Sequence, residues 1–384
     1  MLAPDNREVY PYHGGFNVFS GPGFPNFRLP WLTFDQLVPG MDPAVWRILD
    51  VELNRVAEGL RVVEEYLRLV LNDRHLARLA KELRHQLQSA AADLPEHNRL
   101  ALRDTLGDVG AQISTPAERQ RDDLWHVAKS SFSRVQQGLR TLEEYGKLVD
   151  AEFAQACERL RYDLYTLEKS AGLTSASLSR LEGALLCALI DGLETPQQFE
   201  AHVGKLIEVG VPMIQLRDKR LADAELLDRA RRLVALTRPR GTLVIVNDRA
   251  DIAAAAEADG VHVGQQDLPP AAARRVVGPR ALVGLSTHSL DQDRQGVLAG
   301  VDYLGVGPTF ASTTKAFDTF PGLELLRQVA QEIALPAFAI GGISLDNLPQ
   351  VLETGLRRVA VAAALQEPSV GGAMLEILRA GGQG

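Results

Sequence analysis

At 384 residues the chain exceeds one ordinary domain, so two folding units are expected, and 46% hydrophobic with 23% charged residues allows each a normal core. A net charge of −8 argues against a nucleic-acid surface, which needs clustered Lys and Arg, and no apolar run approaches the ~20 residues of a membrane span. The two cysteines, Cys157 and Cys187, have no metal-site spacing, and no charged leader precedes an apolar run, so a reducing, cytoplasmic setting is expected.

Residues 1–41, containing PYHGGFNVFSGPGFPNF, are rich in Gly, Pro and aromatics without helix or strand periodicity, which predicts a disordered extension. From Asp42 the pattern changes. Leu49, Leu53, Val56, Leu60, Val63, Leu67 and Val70 mark one face of a long helix. The segment LNRVAEGLRVVEEYLRLV (53–70) returns 79 residues later as FSRVQQGLRTLEEYGKLV (132–149), with 10 of 18 positions identical. Each copy is followed by a Leu-Arg pair on a second helix, Leu83-Arg84 and Leu160-Arg161. Residues 42–170 are therefore predicted to form an all-α domain, a duplicated helical bundle. The paired residues Arg55/Arg134, Arg61/Arg140 and Glu64/Glu143 suit a site at the pseudo-twofold axis or, equally, ion pairs along the helices. Between the copies lies LRDTLGDVGAQIS, whose Asp104 and Asp108 are the better metal candidates if this domain is catalytic.

The Ser/Thr-rich stretch SAGLTSASLS closes the domain, and residues 171–181 are expected to be a linker. Over 182–384 the period switches. Short apolar runs at about 184–190, 212–216, 242–246, 260–263, 281–285, 302–306, 336–340 and 358–362 read as buried parallel strands separated by helices. This predicts an α/β fold, a C-terminal (β/α)₈ TIM barrel, with a doubly wound open sheet as the alternative.

A barrel of this kind carries its site at the carboxyl ends of the strands, and polar residues cluster there. They are Gln215-Leu216-Arg217-Asp218-Lys219, Asn247-Asp248-Arg249, Gln265-Gln266-Asp267, Ser286-Thr287-His288, the run GVGPTFASTTK, and Gly341-Gly342. Arg217, Lys219 and Lys315 offer fixed positive charge for phosphate groups. Asp248 and Asp267 are hard oxygen ligands suited to Mg²⁺ shared with a substrate phosphate. The turns Gly305–Pro308 and Gly341-Gly342 allow close backbone approach to a second phosphate. Plainer roles compete: Asp248 and Arg249 capping a helix and pairing with Asp251, His262 in the barrel core, Gly341-Gly342 as a tight turn. Ser286 and His288, two residues apart on a strand, do not form a nucleophilic relay.

Taken in order, QLRDK, NDRAD, DGVHVGQQDLP, GLSTHS, DYLGVGPTFASTTK and AIGGI resemble the thiamine-phosphate synthase family across about 182–370. The resemblance implies condensation of 4-amino-5-hydroxymethyl-2-methylpyrimidine diphosphate with 4-methyl-5-(2-hydroxyethyl)thiazole phosphate, giving thiamine phosphate and pyrophosphate. It implies that Gln215, Leu216, Arg217, Asp218, Lys219, Asn247, Ser286 and Lys315 bind the pyrimidine diphosphate, and that Asp248 and Asp267 hold Mg²⁺. Ser312, Thr313, Thr314, Gly342, Ala362 and Ala363 would receive the thiazole phosphate. Two positions depart from the family pattern: Ser312 where Thr is usual and Ala363 where Ser is common. A thiazole-aromatising isomerase on the same fold is the rival, and the Asp248/Asp267 pair with Arg217 and Lys219 favours the synthase.

The helical half, through NRVAEGLRVVEEY, LRDTLGDVG and SRVQQGLRTLEEY, is similar to a small domain often fused to this synthase and associated with phosphorylating hydroxymethylpyrimidine phosphate. That would add ATP to the ligands. No GxxxxGK[ST] loop occurs in 42–170, so the kinase expectation rests on the resemblance, against a non-catalytic dimerisation or docking module. Homo-oligomerisation stays open.

Overall fold

The structure is a computed structural model that describes residues 42–105, 107–109, 120–311 and 321–381. The expected extension 1–41 therefore lies outside the described residues, and from Ala44 onward the chain forms one compact unit.

The duplication is visible as two long helices, α1 (Pro43–Leu69) and α4 (Leu124–Gly146), each followed by a partner, α2 (Arg74–Ala90) and α5 (Ala151–Arg180). A short helix α3 (Glu96–Ala101) leads into the connection between the copies. Proline at the first position of α1, where no N–H partner is needed, starts that helix, and the Asp123 carboxylate caps α4 by accepting from His126 N at 2.7 Å. The apolar stripe of α1 buries Trp46, Leu49, Val56, Leu60, Val63 and Leu67, and α4 buries Phe132, Val135, Leu139 and Leu142.

The two long helices meet where each carries a glycine. A Cβ on Gly59 would lie 2.5 Å from Val135 Cγ2, and a Cβ on Gly138 would lie 2.5 Å from Val56 Cγ2. Gly138 is Gly59 plus 79 and Val135 is Val56 plus 79, so the repeat is also a pseudo-twofold packing relationship. The charged pairs obey the same symmetry. Glu64 meets Arg84 at 3.3 Å, and Glu143 receives two bonds from Arg161, at 2.8 and 3.2 Å. Both glutamates are buried, so each arginine neutralises a carboxylate that burial would otherwise penalise severely. Arg61 and Arg140 continue these pairs along the surface to Glu65 and Glu144, both at 2.7 Å. Arg55 bonds Glu52, and Arg134 is exposed.

The expected linker is a correction. Residues through Arg180 are helical, the last turns of α5, because small side chains at 171, 174 and 177 recur with helical spacing and are buried. Ser177 Oγ donates to Asp302 Oδ1 at 3.4 Å and Lys169 Nζ to Ala299 O at 3.1 Å, holding this end of α5 on the barrel. Leu181 then joins the core cluster with Cys187, Met213, Ile245, Leu282, Tyr303 and Phe338. The first helix pair is fixed as well: Asp73 caps α2 through Leu76 N at 2.7 Å and accepts from Ala334 N at 2.9 Å, while Arg78 reaches Glu332 at 3.2 Å.

The barrel follows. Among the described residues eight parallel strands close in sequence order: β1 (Leu186–Ile190), β2 (Met213–Leu216), β3 (Leu243–Asn247), β4 (Gly260–Val263), β5 (Leu282–Thr287), β6 (Tyr303–Val306), β7 (Ala337–Ile340) and β8 (Arg358–Val361). Each falls within two residues of its apolar run, and the open-sheet alternative is excluded by the β1–β8 pairing. Helices α6 (Pro196–Glu208), α7 (Asp223–Thr237), α8 (Ala250–Ala255), α9 (Pro270–Val277), α10 (Leu290–Ala299), α11 (Gly322–Glu332) and α12 (Leu348–Leu352) intervene, and α13 (Pro368–Ala380) follows a 3₁₀ turn, Ala363–Gln366. No helix among the described residues is long and apolar enough to cross a membrane.

Candidate active site

The carboxyl ends of the strands enclose a cleft of about 620 Å³. Its wall carries Arg217, Ser286, His288 and Ser344 among apolar groups that include Leu189, Ile340, Ile343 and Val361. Such a site binds a partly apolar ligand and orients it with few polar contacts.

Beside the cleft, Lys219 Nζ approaches Asp248 Oδ2 at 3.3 Å. Asp248 has φ of 61°, a left-handed conformation that non-glycine residues rarely hold, and its N–H donates to His262 O at 2.7 Å. Burial raises the Asp248 carboxyl above its ordinary value; the adjoining Asp267 carboxyl raises it further, and Lys219 opposes both. Asp267 is oriented by Gly264 N, which donates to Oδ2 at 2.7 Å. Two carboxylates crowded in this way suit a divalent cation. Among the described residues no group of three or more His, Cys, Asp or Glu forms a metal cluster.

Two expected contacts, Asp218 and Leu216, resolve differently, and Arg249 takes the structural role that competed for it. The Asp218 carboxylate is withdrawn into its own loop, accepting from Gly192 N at 3.0 Å, Arg220 N at 2.7 Å, Leu221 N at 3.3 Å and Arg220 Nη2 at 3.0 Å. Burial opposes its ionisation, but those donors prevail and hold it down at about 2. Asp218 thus shapes the strand-2 loop and has no side-chain oxygen left over for a ligand. Leu216 is 1% exposed in the barrel wall, so only its backbone can touch substrate. Arg249 pairs with Asp223 and with Asp251 at 2.7 Å, and the residue serves structure. Ser312, Thr313, Thr314 and Lys315 lie outside the described residues.

The opposite wall is glycine-built. Gly341 and Gly342 have φ of 102° and 65°, and a Cβ on Gly342 would meet Ala311 O at 2.6 Å. The two therefore make a required turn, closed by Phe310 N donating to Gly341 O at 3.0 Å, and they also line the cleft with Ala362 and Ala363.

A buried connection was invisible in the sequence. His262 Nε2 lies 2.8 Å from Ser286 Oγ, and its Nδ1 lies 3.2 Å from the Tyr303 hydroxyl. Burial pushes the His262 imidazolium down to about 4, with Arg217 adding to it and Asp267 opposing. The partners are 24 and 41 residues away, so no local motif announces them. The Ser-His contact is not an activated nucleophile, because taking a proton from Ser286 would create a buried imidazolium with a phenol, not a carboxylate, behind it. His288, named among the rim residues, lines the cleft with its Nδ1 2.5 Å from Gly307 O.

The helical half has its own cavity, about 710 Å³, lined by Arg47, Asp50, Arg55, Arg103, Asp104 and Asp108 among others. Arg103 grips the buried Asp50 with two bonds, at 2.7 and 2.8 Å.

Residues 186–365 match the family model described as thiamine monophosphate synthase, and residues 47–170 match the ThiD2 family. Among curated relatives, the thiamine-phosphate synthase of Rhodopirellula baltica is 46% identical over 331 residues, covering 84% of this chain and 88% of that protein. The thiamine-phosphate synthase of Gloeobacter violaceus is 43% identical over 326 residues, covering 84% and 93%. With such identity extending across both the helical and the barrel parts, the chain belongs to the thiamine-phosphate synthase family.

Proposed function

We propose that the barrel condenses 4-amino-5-hydroxymethyl-2-methylpyrimidine diphosphate with 4-methyl-5-(2-hydroxyethyl)thiazole phosphate, releasing pyrophosphate and thiamine phosphate. The observation that carries this reading is the group Lys219, Asp248 and Asp267 beyond the carboxyl ends of β2, β3 and β4, on the same end of the barrel as a largely apolar cleft. Asp248 and Asp267 would hold Mg²⁺, which supplies positive charge against the diphosphate. Arg217, Lys219 and Lys315 bind the leaving pyrophosphate and stabilise its growing charge. Gln215, Asn247 and Ser286 seat the pyrimidine ring. Ser312, Thr313, Thr314, Gly342, Ala362 and Ala363 receive the thiazole phosphate.

Departure of pyrophosphate leaves a pyrimidinyl-methyl cation, which the thiazole nitrogen captures without losing a proton. No general base is needed. The apolar wall of Leu189, Ile340, Ile343 and Val361 excludes water, the competing nucleophile. Pyrophosphate titrated into the full chain should bind with Mg²⁺ and not with EDTA, and Lys219→Ala should weaken it at least about tenfold. Equal affinity with and without Mg²⁺ would overturn the assigned metal pair.

For residues 42–170, treated as a separate domain, we favour phosphorylation of the pyrimidine monophosphate with ATP over a purely docking role, on the strength of the Arg- and Asp-lined cavity. The full chain carrying Asp248→Ala, given ATP, Mg²⁺ and the monophosphate, should still release ADP. None released would favour docking. A cytoplasmic setting fits two buried, free thiols.

A further inference from the structure

We propose that His262 and Tyr303 are positioning residues that hold the Ser286 hydroxyl as a hydrogen-bond donor into the cleft. The inference rests on the reading of Ser286 as part of the pyrimidine seat. Its elements come from three neighbouring strands. Tyr303 on β6 meets His262 Nδ1 on β4, and His262 Nε2 meets Ser286 on β5. The chain of contacts crosses the barrel interior and ends at the one member that lines the cleft, Ser286.

The barrel is shaped around these rings. Gly284 stands level with both His262 and Tyr303 in the strand register, and a Cβ there would lie 2.1 Å from Tyr303 Cζ and 2.5 Å from His262 Nδ1. A Cβ on Gly305 would lie 3.0 Å from His262 Cε1. Phe338 closes the far side, its ring 5.5 Å from that of Tyr303 in an edge-on contact. Two glycines and an aromatic edge therefore leave the imidazole little rotational freedom.

Proton counting then fixes a direction. The fully buried His262 ring faces two hydroxyls and no carboxylate among its hydrogen-bond partners, so it is neutral, with one donor and one acceptor nitrogen. Of the two hydroxyls the phenol is the stronger acid and the better donor. Tyr303 therefore gives its proton to Nδ1. The remaining imidazole proton sits on Nε2 and points at Ser286 Oγ. With that oxygen already accepting, the Ser286 proton is directed onward, toward an acceptor atom such as a ring nitrogen of the pyrimidine. A ligand offering an acceptor at that point receives the Ser286 proton, so the device favours an acceptor heteroatom facing Ser286.

The direct test is the ring ¹⁵N spectrum of the full chain labelled at histidine, with His262→Gln used to assign the signal. His262 should show protonated Nε2 and bare Nδ1; the opposite tautomer overturns the proposal. This measurement needs no substrate, so it succeeds or fails separately from the assigned reaction. The kinetic test is a cycle of Tyr303→Phe and Ser286→Ala. Tyr303→Phe should raise KM for the pyrimidine diphosphate about fivefold with little change in kcat. In the Ser286→Ala background the same change should shift KM by less than about twofold. An undiminished effect in that background would show Tyr303 acting on packing and not through Ser286, and would overturn the proposal.

Discussion

Lys219 reaches across from the strand-2 loop to place its ammonium 3.3 Å from Asp248, the carboxylate that Asp267 crowds from the other side. The ammonium offsets part of the repulsion between the two carboxylates. Asp248→Asn tests this without backbone damage, since Asn tolerates the left-handed conformation that Asp248 adopts at φ 61°. Synthase activity should fall about a thousandfold or more. Thermal stability without metal should not fall, because like-charge repulsion is relieved, whereas the rise in Tm on adding Mg²⁺ should vanish. A Mg²⁺-dependent rise of wild-type size in the variant would contradict the assignment.

Asp293 is completely buried behind the end of β5, bonded to Thr287 Oγ1 at 2.5 Å, and its Oδ2 has no partner among the described residues. Burial raises its carboxyl to about 7, with the Thr287 bond opposing. A raised carboxyl stabilises the fold while protonated. The contribution is complete below the unfolded value of about 4 and is lost as pH rises through about 7. Asp293→Asn should therefore match the wild type near pH 4 and exceed it at pH 8 by on the order of 3 kcal/mol in chemical denaturation. Parallel pH profiles for the two proteins would refute the argument.

At the crossing of the long helices, Gly59→Ala drives a methyl against Val135, a stiff side chain. Overpacking should cost about 1–3 kcal/mol. Adding Val135→Ala removes the opposing methyl, so the double variant should be more stable than the sum of the two single losses predicts. Simple additivity would mean that the helices separate freely and that the contact does not set their spacing.

Strand positions were legible because each barrel strand is a short, uninterrupted apolar run ending in polar residues, as at LVIV before Asn247. The duplication was legible from identity alone, and it extended to three-dimensional detail in Gly59/Gly138 and Glu64/Glu143. The end of α5 was misread because Ser and Thr usually mark loops, whereas Thr174 and Ser177 here are small residues that let the helix lie close to the barrel. Asp218 looked like a ligand group by position on the rim; only the loop conformation revealed that Gly192, Arg220 and Leu221 claim its oxygens. The path from Tyr303 through His262 to Ser286 depends on strand pairing, which sets residues 24 and 41 positions apart side by side on β4, β5 and β6.

The central claim is most directly tested by turnover of the purified chain with the pyrimidine diphosphate, the thiazole phosphate and Mg²⁺, followed by ³¹P NMR and mass spectrometry. Thiamine phosphate and pyrophosphate should appear in equal amounts, and neither should form in EDTA. Pyrophosphate released without any thiamine phosphate, or no reaction with both precursors and Mg²⁺ present, would contradict the proposed condensation.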